Sequence, residues 1–94
     1  MFKELDPLLH SELRLAIMSV LMSVVEADFV YLKDKCKATS GNLSVQLDKL
    51  QQAGYITVRK EFVGKKTRTT CEVTDTGRKA FENYIESLRS YLKL

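Results

Sequence analysis

The hydrophobic period of this chain changes twice, at Gly54 and at Thr74, and those two changes constrain the fold more than any other feature. Before Gly54, Leu43, Leu47 and Leu50 recur at four- and three-residue steps, the stripe of an amphipathic helix. After it, Tyr55-Ile56-Thr57-Val58-Arg59-Lys60-Glu61-Phe62 and Thr67-Arg68-Thr69-Thr70-Cys71-Glu72-Val73 alternate and are rich in β-branched residues. The four residues between them, Val63-Gly64-Lys65-Lys66, contain the glycine that a hairpin loop needs. From Thr74 the helical period returns through Ala80, Phe81, Tyr84, Ile85, Leu88, Tyr91 and Leu92. A two-stranded ribbon is therefore set between helices.

The N-terminal half adds two more helices. Leu13, Ala16, Ile17, Val20, Leu21 and Val24 form a helical stripe behind Ser11, a candidate N-cap, which predicts a helix over about 10–26. Asp28 is placed to cap a two-turn helix from Phe29 to Cys36. A turn, Lys37-Ala38-Thr39, leads to the third helix, capped by Thr39 or Ser40 and closed by Gly54 as the residue after its C-terminus. The order is helix, helix, helix, hairpin, helix. That is an α+β, mostly α architecture with the layout of a winged helix-turn-helix: a three-helix core, a two-stranded wing over about 55–73 and a long last helix over about 75–93. At 94 residues it reads as one domain over 1–94, with 1–9 as an N-terminal arm.

Charge says where such a domain meets its partner. The net charge is only +3, but residues 1–30 carry −3, residues 31–54 carry +2, residues 55–73 carry +3 and residues 74–94 carry +1. One basic face on a near-neutral domain suits phosphate. The side of the third helix away from its leucines holds Ser40, Asn42, Ser44, Val45, Gln46 and Lys49, slim groups that can enter a major groove and hydrogen-bond base edges. With the cap residue Thr39 they are the candidate DNA-reading set. Lys60, Lys65, Lys66 and Arg68 flank the hairpin loop and are the candidate phosphate contacts of the wing. Lys33, Lys35 and Lys37 lie nearby with a weaker case.

The run Thr39-Ser40-Gly41-Asn42-Leu43-Ser44 through Leu47, Leu50, Ala53, Gly54 and Tyr55, the wing Lys60 to Lys66, and Val73-Thr74-Asp75-Thr76-Gly77 together resemble the small prokaryotic winged-helix regulators, relatives of the MarR- and ArsR-type repressors. The resemblance covers nearly the whole chain. It implies a homodimeric transcriptional regulator whose third helix reads operator DNA and whose terminal helices pair the protomers. Metal sensing of the arsenical type is not carried over, because only Cys36 lies in that region. Members of those families often place a histidine or arginine where this chain has Gln46, and a glutamine can pair bidentately with adenine.

The last helix carries a stripe broad enough for two surfaces. Leu5, Leu8, Leu9, Phe81, Tyr84, Leu88, Tyr91 and Leu92 are the expected homodimer interface. No cofactor, metal site or catalytic group is expected: Cys36 and Cys71 read as small apolar fillers, His10 as a surface or capping side chain, and no triad or phosphate-cradling loop is present. No apolar run approaches a membrane span, and the two cysteines fit a reducing, cytoplasmic setting. Two alternatives stand beside DNA regulation: a protein-interaction module on the same scaffold, and a switch responding to an unknown effector.

Overall fold

The computed structural model describes residues 2–93. Its elements are α1 (Glu12–Met22), β1 (Ala27–Asp28), α2 (Phe29–Cys36), α3 (Ser40–Gln52), β2 (Ile56–Val63), β3 (Lys66–Val73) and α4 (Asp75–Leu92). They assemble as the expected winged helix, with one addition. The sheet has three strands in the order β1-β3-β2, all antiparallel, because Ala27 and Asp28 pair with Cys71 and Thr70. This short strand ends the first helix early: α1 stops at Met22 rather than near residue 26. Ser23 and the β-branched pair Val24-Val25 are poor helix formers, and the chain must be extended by Ala27 to reach β3. Ser11 occupies the N-cap position with an extended backbone, but its hydroxyl makes no capping bond.

The other helix ends follow local chemistry closely. Asp28 accepts from the Tyr31 amide, Thr39 from the Asn42 amide and Thr74 from the Gly77 amide, so α2, α3 and α4 each begin on a side-chain cap. At the end of α3, the Tyr55 amide donates to the Leu50 carbonyl and the Gly54 amide to the Gln51 carbonyl, with Gly54 at φ +80°. The end of α2 repeats this pattern through Ala38 to Lys33 and Lys37 to Asp34. There the left-handed position, φ +51°, is held by Lys37.

Leu9, Ile17, Met18, Leu21, Leu32, Leu43, Leu50, Ile56 and Cys71 form the buried core, where the helices meet the body end of the sheet. Burial raises the Cys71 thiol to about 11 and pushes Cys36 up as well, so both remain protonated fillers at neutral pH. Past this core β2 and β3 continue alone as the wing. Its pairing runs to Val63 opposite Lys66, which leaves a connection of two residues, Gly64 and Lys65, in place of the expected four. Gly64 sits at φ +66°, the sense that matches a tight turn to strand twist.

Candidate nucleic-acid interface

α3 is held from behind by Leu43, Leu47 and Leu50, all buried, and joins β2 through the Ala53–Tyr55 turn, so helix and wing are packed side by side. Thr39, Ser40, Asn42, Ser44, Val45 and Lys49 are exposed, as the sequence pattern requires. The same open side also carries Gly41, Asp48 and Gln52, which fall between them at three- and four-residue steps. Asp48 is an acid on the face expected to meet phosphate. A carboxylate there finds a match only in a base donor such as cytosine N4. Val45, half exposed at 49%, offers an apolar surface of the kind that meets a thymine methyl.

Gln46 is not a free side chain. Arg14 of α1 donates from Nη1 to Gln46 Oε1 at 2.5 Å, and Gln46 Nε2 donates to Asn42 Oδ1 at 2.9 Å. Arg14 is itself anchored by donating from Nε to the Leu8 carbonyl at 2.6 Å. With its oxygen turned toward Arg14 and its nitrogen toward Asn42, the glutamine does not present both groups together to one base edge, as a bidentate adenine contact requires. Sequence pattern gave no sign of this link, since Arg14 lies on the half-buried side of a different helix.

The wing cations divide into two sets. Among the described residues Lys60, Lys65 and Lys66 are in no ion pair and stand exposed along and at the tip of the ribbon. Arg68, grouped with them from the sequence, instead lies 3.5 Å from Asp28, and Arg59 lies 3.3 Å from Glu26. These two arginines brace the base of the wing against β1. Beside the free lysines Phe62 is 79% exposed, with Val63 next to it, and sequence reading had passed over both.

The expected pairing surface also divides. Leu9, at 0%, and Tyr84, at 4% exposure, belong to the protomer's own core, so neither presents surface to a second copy. Tyr84 Oη shares a 2.9 Å hydrogen bond with His10 Nδ1, which places that histidine against α4. Leu5, Leu8, Phe81 and Leu88 are half-buried, while Tyr91 and Leu92 are exposed. Phe2 stacks on Tyr91 with ring centroids 4.6 Å apart, and the Lys3 amide donates to Ser90 Oγ, so the arm lies along the end of α4. Among the described residues no group of side chains could hold a metal ion, and no helix is long and apolar enough to cross a membrane.

A family model described as a winged helix DNA-binding domain matches residues 13–92. The chain belongs to that family. An uncharacterised protein of Methanocaldococcus jannaschii is 36% identical over 76 residues, covering 81% of this winged-helix chain and 83% of its relative. The structure of a transcriptional regulator homologue from Pyrococcus horikoshii superimposes with a TM-score of 0.83 at 28% identity, covering 93% of this chain and 89% of the other. Bacillus subtilis PadR, whose crystal structure is a complex with operator DNA, shares the fold with a TM-score of 0.70 at 23% identity, covering 80% of this chain and 48% of PadR. The winged-helix regulator resemblance drawn from residues 39–77 therefore holds at the level of family and fold.

Proposed function

We propose that this protein is a sequence-specific regulator of transcription that binds double-stranded DNA as a homodimer, in keeping with a cytoplasmic setting. In this reading Thr39, Ser40, Asn42, Ser44, Val45 and Lys49 face the major groove, and Gln46 supports them. Lys60, Lys65 and Lys66 lie on the sugar-phosphate backbone, with Arg68 holding the wing in place. Phe62 adds an apolar surface against sugar edges. The observation that carries the reading is the slim open face of α3 beside a wing whose Lys60, Lys65 and Lys66 are in no ion pair among the described residues. The homodimer reading rests on Leu5, Leu8, Phe81, Leu88, Tyr91 and Leu92. In α4 only Gly77 and Tyr84 are buried among the described residues, so its apolar stripe is incompletely covered by its own protomer. Two copies would set their α3 helices about 34 to 36 Å apart, one turn of duplex.

The test is a salt titration of binding to mixed genomic duplex DNA. Affinity should fall steeply with salt, and the double variant Lys65→Glu, Lys66→Glu should flatten the slope by about two phosphates. A wild-type affinity indifferent to salt would overturn the proposal.

A further inference from the structure

Arg14, Gln46 and Asn42 form a chain of hydrogen bonds whose direction is fixed by chemistry alone. A guanidinium has only donors, so the Gln46 atom facing Arg14 Nη1 must be the oxygen. The other end of that amide is then the nitrogen, which can only donate, and the Asn42 atom facing it must again be the oxygen. Arg14 cannot rotate out of this role freely, because its Nε is tied to the Leu8 carbonyl. Both side-chain oxygens are thus turned toward donors inside the protein. At the open end of the chain stands the Asn42 amino group, exposed in the first turn of α3, with two N–H bonds and no partner among the described residues.

We infer that Asn42 presents its amino group to DNA and meets it as a donor, and that Gln46 and Arg14 are positioning residues that set this polarity. This rests on the reading of α3 as the helix that faces DNA. An unrestrained asparagine suits adenine, giving its nitrogen to N7 and taking N6–H with its oxygen. Here the oxygen is turned toward Gln46, and the amino group is the end left without a partner. The complementary chemistry is a group of acceptors, which guanine offers as adjacent N7 and O6 in the major groove and which phosphate oxygens offer along the backbone.

Selection of bound fragments from random duplex DNA by the full chain, repeated with Gln46→Glu, separates these cases. Glutamate can still accept from Arg14, but toward Asn42 it can only accept, so the asparagine turns and presents Oδ1 outward. The expected result is a guanine preference in the wild type that changes to a donor-bearing base, cytosine or adenine, with a shift in relative affinity of roughly tenfold. Arg14→Met should blur the choice between guanine and adenine, a change in base preference that loss of mere support would not produce. If phosphate is the acceptor, the selected bases stay unchanged in Gln46→Glu. One methylphosphonate position then weakens the wild type and leaves Asn42→Ala unaffected. The inference is overturned if wild type and Gln46→Glu select the same bases and no methylphosphonate position distinguishes wild type from Asn42→Ala. A wild type that retains no duplex at low salt has a different signature, and it removes the interface reading together with this one.

Discussion

Arg68, in the central strand β3, lies 3.5 Å from Oδ2 of Asp28, whose Oδ1 accepts from the Tyr31 amide at the start of α2. One carboxylate thus joins the wing to the helix-turn-helix. The two roles can be separated. Asp28→Asn keeps an oxygen for the cap and loses only a partly exposed ion pair, so the stability change should stay within about 0.5 kcal/mol. Asp28→Ala loses both and should cost about 1 to 2 kcal/mol. Chemical denaturation of the pair of variants checks the order, and equal losses would show that the cap contributes nothing.

Gly77 is the residue of α4 whose replacement should be most damaging. Ordinarily alanine stabilises a helix by about 1 kcal/mol over glycine. Here an added Cβ would stand 2.0 Å from the Tyr55 carbonyl oxygen and within 3 Å of two more backbone atoms. The approach is enforced by Thr74, whose amide donates to that same carbonyl while its hydroxyl donates to the Gly54 carbonyl and accepts from the Gly77 amide. Gly77→Ala should therefore destabilise by about 3 kcal/mol or more, because backbone on both sides must move. Thermal unfolding gives the sign directly.

Tyr55 donates from its hydroxyl to Asp6 Oδ2 at 2.6 Å, tying the N-terminal arm to the turn that starts the wing. Burial, followed by the Asp6 hydrogen bond and the negative charge of Asp6, pushes this phenol up to about 12. A folded-state value above the ordinary 10 means that the native state holds the proton longer. Its contribution is fully present below pH 10 and lost as pH rises through 12. Tyr55→Phe should be less stable than wild type by about 1 kcal/mol at neutral pH. That gap should narrow between pH 10 and 12 in denaturation curves.

How much of this could be seen in the sequence depended on how local its cause was. Phe29–Cys36 and α3 were delimited by residues that act within one turn of themselves, Asp28, Thr39 and Gly54, and the ribbon by alternation along its own strands. β1 has two residues and no alternation to show, since it exists only by pairing with Cys71 and Thr70. Arg14 with Gln46 and Asp28 with Arg68 are contacts between distant segments, so charge and polarity grouped Gln46 and Arg68 with their exposed neighbours and gave no sign of their partners within the protein. Leu9 and Tyr84 show the same limit for packing: an apolar stripe records that a residue avoids water, not whose core it enters.

Lys37 offers a last test, because backbone and charge pull in opposite directions there. α2 and α3 end in the same hydrogen-bond pattern, yet the left-handed position is glycine in one and Lys37 in the other. A side chain at φ +51° costs roughly 1 kcal/mol that glycine avoids, so Lys37→Gly should raise stability by about that amount. Lys37 sits in the turn between α2 and α3, exposed and beside the first residues of α3. If its charge neutralises a phosphate, the same variant should bind duplex DNA more weakly, with the salt slope lower by about one. Lys37→Gln removes the charge and keeps the strained backbone, so it should reproduce the binding loss without the gain in melting temperature. A Lys37→Gly protein that melts higher and binds as well as wild type would place this lysine outside the interface.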